Sequence, residues 1–123
     1  MTPIKLDNLT VEQLVERFTA ITLDQDKALR SSRHAQFNRL FDDMEAVKEE
    51  LKARDGDQRG ALLPLYDHPN PQVRLKAAKA TLAVAPETAL KMLRAIAESR
   101  QYPQAGEAGI SLDNLKDGIF KPT

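Results

Sequence analysis

Two histidines, His34 and His68, are the only side chains of this 123-residue sequence whose unperturbed charge changes near neutral pH. General acid–base work or metal ligation would be their chemistry. Neither lies in an H-E-x-x-H or other ligand spacing, and the chain has no cysteine to complete a zinc set. Ser31, Ser32, Ser99 and Ser111 sit in no nucleophile pattern such as G-x-S-x-G. Gly56-Asp57-Gln58-Arg59-Gly60 has two glycines but neither dinucleotide nor P-loop spacing, and Asp57 would repel a phosphate. The acids Asp42, Asp43, Glu45, Glu49 and Glu50 suggest a di-metal centre only if they face a bundle core beside Glu-x-x-His motifs. Helical phase turns them outward instead. No catalytic residue, metal or cofactor is assigned, and the chain is expected not to be an enzyme.

What remains is recognition chemistry, and two charged surfaces could supply it. Asp42, Asp43, Glu45 and Glu49 form an outward acidic face that suits a basic partner; the plainer reading is a solvated helix face with i,i+4 support. Between Pro71 and Arg100 the balance is reversed. Six basic residues (Arg74, Lys76, Lys79, Lys91, Arg94, Arg100) oppose two acidic ones, Glu87 and Glu98. Lys76, Lys79, Lys91 and Arg94 could bind a phosphate backbone, with affinity that falls steeply as salt rises. Their surplus is small and no tryptophan is present to stack on a base, so nucleic acid is the second reading and a protein partner the first.

These side chains must be positioned by helices, and the punctuation is clearest around residues 62–78. His68 and Asn70 each precede a proline and are pushed towards extended geometry. Asn70 can then cap a helix whose first residue is Pro71, where a missing N–H costs nothing. Asp67, Pro69, Asn70, Pro71 and Arg74 make up this structural corner. In the helix that follows, predicted to run to Ala85, Val73, Ala77, Ala80, Thr81 and Val84 fall on one side. Leu75, Ala78, Leu82 and Ala85 fall on the other. Only a narrow arc of Gln72, Lys76, Lys79 and Ala83 is left for water, so this helix should be packed from both sides at the middle of the molecule. Arg74 interrupts the apolar surface in the first turn, where a cation opposes the helix dipole. It is expected to be largely buried and bonded to Asp67 or to carbonyls ending the preceding helix.

Leu62-Leu63-Pro64-Leu65, Asp67, Val73-Arg74, Ala77-Ala78 and Leu82 together resemble the signature of a HEAT repeat over residues 57–85. The whole chain is also similar to small bacterial HEAT-like proteins of uncharacterised function. The resemblance implies an α-α superhelix and no reaction, although the repeat is shorter than the usual forty-odd residues.

Elsewhere, Thr10 and Gln13 form a capping-box pattern ahead of the stripe Val11, Leu14, Val15, Phe18, Ile21. A long helix is predicted from Ser32 to Arg54, with Phe37, Leu40, Phe41, Met44, Val47 and Leu51 inward and Gly56 as its stop. Residues 23–32 either continue the first helix or break it. A short helix over Gln58–Asp67 is bent by Pro64. Pro86 opens a fifth helix with Ala89, Leu90, Leu93, Ile96 and Ala97 inward. A sixth, weakened by Gly106 and Gly109, stops at Gly118, and residues 119–123 form a frayed tail. The predicted fold is all-α: about six helices in three stacked αα-hairpins, a HEAT-like superhelix over a single domain, 1–123.

Eighteen basic and eighteen acidic residues cancel, which argues against a dedicated nucleic-acid or membrane-surface binder. No run approaches a membrane span, and the first residues lack the apolar core of a signal peptide. The chain is therefore expected to be cytoplasmic, a non-catalytic helical module for an unidentified protein partner, such as an adaptor, regulator or immunity-type protein.

Overall fold

Helix α1 (Val11–Arg30) opens on the expected capping box: Thr10 Oγ1 accepts from Gln13 N at 3.1 Å while Gln13 Oε1 accepts from Thr10 N at 2.9 Å. With no breaker between Asp24 and Arg30, it continues to Arg30 rather than stopping at Leu23. The computed structural model describes residues 5–123, and among them every regular element is helical, with no strand. Six helical segments have ten residues or more, and a 3-10 turn, Leu6–Asn8, precedes them. The chain divides into two units, Met1–Ala61 and Leu62–Thr123.

In the first unit, α1 and α2 (His34–Ala53) pack together as an αα-hairpin. Ser32, at φ 55°, takes the left-handed conformation that turns the chain between them. Leu14, Phe18, Ile21 and Ala28 of α1 are buried, as are Met44, Val47 and Leu51 of α2. The first half of α2 departs from the predicted stripe. Phe37 and Leu40 are only half-buried, and Phe41 is 39% exposed. Phe41 lies at the edge of the 120° arc, where apolar type alone does not decide burial. At the far end Arg54 ties the N-terminal segment down. Its guanidinium donates to the carbonyls of Leu6 (3.1 Å) and Leu9 (2.7 Å) and to Glu50 Oε2 (2.7 Å). Gly56, at φ 76°, stops the helix as expected.

Gln58–Asp67 spans the division and is 3-10 throughout, not a bent α-helix. Pro64 has no N–H for the α-helical bond to the Gly60 carbonyl, and Gly60 itself disfavours α-helix by about 1 kcal/mol.

In the second unit, Asn70 caps α3 (Pro71–Ala80) by accepting from Gln72 N at 2.8 Å and Val73 N at 3.3 Å. Seven of its ten residues are buried, so the expectation of a helix covered most of the way round holds within this unit. It packs chiefly on α4 (Pro86–Glu98) and also on α5 (Gln104–Lys116). Their shared core is Leu75, Ala78, Leu82, Ala89, Leu93, Ile96 and Ala108. The helix ends five residues earlier than the predicted Ala85. The buried Thr81 hydroxyl donates to Ala77 O at 2.8 Å, and its oxygen accepts the hydroxyl proton of Tyr66. Beyond Thr81 the helical phase no longer applies, and Val84, predicted inward, is 37% exposed. After α5, Gly118 adopts φ 72°, and the N–H groups of Ile119 and Phe120 both donate to Asn114 O.

Leu93→Ala is expected to cost about 2–5 kcal/mol, as for other fully buried leucines. Val84→Ala should stay within about 0.5 kcal/mol, as for a surface change. Urea denaturation of the two variants measures both, and a large loss at Val84 would contradict its placement.

Candidate functional site

Helix α3 carries polar residues at i, i+4 and i+7: Gln72, Lys76 and Lys79. Sequence periodicity alone turns this arc towards water. Gln72 and Lys76 are instead 1% and 5% exposed, because α5 lies over them. Helix α5 brings polar residues at i and i+3 to the same seam. Gln104 Nε2 donates to Gln72 Oε1 at 2.9 Å, while Lys76 Nζ and Lys79 Nζ lie 2.6 and 3.1 Å from Glu107 Oε2. Burial alone would raise the Glu107 pKa, but the two ammonium groups more than offset it and hold the carboxyl below the ordinary glutamate value. Lys76 is thus a buried ion-pair residue, not part of an open basic surface. A wheel built on one helix cannot reveal a polar partner on another.

The corner also differs from its prediction. Arg74 is half-buried, and Asp67 is exposed and not its partner. Arg74 Nη1 donates to the carbonyls of His68 (2.7 Å) and Pro69 (2.9 Å), and Nη2 to Gln101 Oε1 (3.0 Å). The carbonyls it meets belong to the corner itself, just past the Asp67 end of the preceding helix. Chain direction breaks at Pro69 and Pro71, and the N–H groups at the start of α3 are taken by Asn70, so Arg74 supplies donors that the helix cannot. His68 Nδ1 accepts from Asn70 N at 3.0 Å, which makes this imidazole part of the turn.

On α2, Glu45 pairs with Lys48 at 2.6 Å. Asp42, Asp43 and Glu49 are exposed and make no ion pair among the described residues. Asp42 and Asp43 join Gln36, Arg39 and Leu40 around a shallow concavity of about 400 Å3. Lys91 and Arg94 are exposed on α4, whereas two of the four cations in the predicted basic surface, Lys76 and Lys79, are held by Glu107. Among the described residues no three His, Asp or Glu side chains converge as metal ligands, and no helix is long and apolar enough to cross a membrane.

Two of the pairings that sequence reasoning missed bear on the candidate residues. One is Glu107 with its lysines; complementary polar stripes on two otherwise apolar helices were the available signal. The other is Asp57 with Arg59, inside the stretch weighed as a phosphate loop. Arg59 is 6% exposed and grips Asp57 through both carboxylate oxygens, Nε to Oδ1 at 2.9 Å and Nη2 to Oδ2 at 2.6 Å. Those hydrogen bonds hold the Asp57 carboxyl below its ordinary value. Asp57 also adopts φ 52°, a left-handed position that Asp tolerates better than most residues. The loop is thus a self-contained turn.

Comparison with known proteins finds a matching family and a similar solved structure. The model of a family described as a domain of unknown function, DUF2019, matches residues 12–116. The crystal structure of the protein RPA1889 from Rhodopseudomonas palustris CGA009 is similar, with 53% sequence identity and a TM-score of 0.95. The match covers 98% of this chain and 100% of that one. No curated protein matches the chain.

Glu107→Ala is expected to cost about 2 kcal/mol in urea denaturation. This falls below the roughly 3–5 kcal/mol of a wholly buried pair, because the Glu107 side chain is 36% exposed and water screens it. Lys76→Ala should cost more than Arg74→Ala, the reverse of the order that the sequence suggests. The depressed Glu107 and Asp57 carboxyls also fix a pH dependence. Their contribution is complete above the unfolded values of about 4.3 and 3.9, and is lost as pH falls through the lower folded values. Stability measured from pH 7 downwards should hold to roughly pH 4.5 and then fall, less steeply in Glu107→Gln.

Proposed function

Because the chain belongs to the DUF2019 family, whose description names no activity, we propose its function from its geometry: a non-catalytic helical interaction module that binds another protein through the outer face of α2. The observation that carries this reading is the company kept by the acids. Asp42 and Asp43 are exposed beside Leu40 and Phe41, apolar residues that are themselves half-buried or exposed. A mixed acidic and apolar face suits a protein surface that offers basic side chains around an apolar anchor. Nucleic acid would be repelled by the same carboxylates. The HEAT-like resemblance fits this reading, since stacked helices offer broad faces rather than enclosed reaction sites. A cytoplasmic setting belongs to the same proposal.

The alternative, weak binding of nucleic acid by Lys76, Lys79, Lys91 and Arg94, is the less favoured. Phosphate contacts at Lys76 and Lys79 would compete with Glu107, which leaves Lys91 and Arg94 on α4 as the open cations.

The two readings separate in one experiment. The protein and an Asp42→Lys, Asp43→Lys variant of equal melting temperature are used as bait in native lysate, with and without nuclease. A protein retained by the parent chain, insensitive to nuclease and lost from the variant, is the expected outcome. Nucleic acid retained by both baits and released by moderate salt would replace this reading with the alternative.

A further inference from the structure

Helix α5 has a second face, turned away from the Glu107 seam. Tyr102, Ile110 and Ile119 are 72%, 63% and 74% exposed, the three most exposed large apolar side chains among the described residues. All lie on α5 or at its two ends. Gly106 and Ile110, four residues apart on α5, share a stripe, and Tyr102 lies in the turn just before the helix. The Tyr102 ring borders the space over Gly106, where an added Cβ would meet only its Cδ1, at 3.9 Å. At Gly109 an added Cβ would meet nothing within 4 Å. Internal packing therefore gives no reason for either glycine, and each weakens the helix relative to alanine.

Charge is confined to the ends of this stripe. Arg100 lies exposed in the loop before it, close to Glu98 at the end of α4, and Asp113 and Asp117 lie exposed at its finish with Lys116 on the flank between them; none of Arg100, Asp113 and Asp117 makes an ion pair among the described residues. With Arg100 before the stripe, Asp113 and Asp117 at its finish and no charge on it between them, the face can pair with itself when reversed.

We propose that this face of α5 pairs with α5 of a second copy of the chain, antiparallel about a two-fold axis near Ala108. In that register Ile110 of each copy enters the hollow over Gly106 of the other, beside the Tyr102 ring. Arg100 comes level with Lys116 and Asp117, within reach of the Asp117 carboxylate. The contact is isologous, so one surface serves both partners and the assembly closes as a dimer. Reversing the partner also sets the two helix dipoles against each other favourably. The missing Cβ at Gly106 lets Ile110 approach closely, which accounts for a glycine on a water-facing helix. This surface is separate from the α2 face, and its test is independent of the function proposed there.

Sedimentation velocity of the full chain, from about 1 µM to about 1 mM, covers the affinities of weak and moderate self-association. A concentration-dependent dimer is expected. Ile110→Asp should raise its dissociation constant about tenfold or more, as loss of a central anchor does, with circular dichroism and melting unchanged for the monomer. Gly106→Ala should weaken the dimer while the monomer melts no lower, since alanine favours the helix. Arg100→Asp should weaken it too, and adding Asp117→Arg should restore it. A parent chain that stays monomeric throughout overturns the proposal. So does a dimer indifferent to Ile110→Asp, or a reversed charge pair that fails to rescue.

Discussion

An ammonium group on a helix that is covered most of the way round must have a carboxylate, and Lys76 obtains one from Glu107. That requirement sets the arrangement of the second unit. Helix α5 has to lie along the polar arc of α3, in the phase that turns Gln104 and Glu107 inward and Gly106 and Ile110 outward. The apolar contacts of Leu75, Leu93, Ile96 and Ala108 supply much of the burial. Dispersion and hydrophobic burial tolerate many phases, however, whereas a charged pair tolerates few. The polar seam is satisfied in the register that the apolar core also adopts.

The same economy of donors and acceptors runs through the loops. Arg74 satisfies the carbonyls of His68 and Pro69, Arg54 those of Leu6 and Leu9, and Arg59 closes its turn on Asp57. Each arginine serves backbone or carboxylate oxygens that lie outside the α-helices. Arginines used in this way are unavailable for recognition. The net effect is to move the available charge onto α2, where Asp42, Asp43 and Glu49 remain open, and onto the exposed side of α4.

Much of the local architecture was legible in the residues. The capping box at Thr10, the Asn70–Pro71 helix start, the glycine stops at Gly56 and Gly118, and the absence of strand alternation all depend on neighbours a few positions away. Structure and sequence agree on each. Where the reading failed, a longer-range or competing local interaction decided. Gln58–Asp67 tightened into 3-10 geometry, and α3 ended at Ala80, with the buried Thr81 as its cap bonded to Ala77 and Tyr66.

The sequence by itself therefore determined the all-helical class, most of the helix ends and the apolar stripes that build the core. It also held the reasons for each, in side-chain caps, proline and glycine positions and helical periodicity. Tertiary structure alone decided which polar stripes are solvated and which are paired. Hydropathy assigns Lys76 and Asp42 to the same class, a charged residue on the outward arc of a helix. Helix α5 brings Glu107 onto the first, and no described residue pairs with the second. That difference arises from a contact between residues 31 positions apart, beyond the range of any periodicity within one helix.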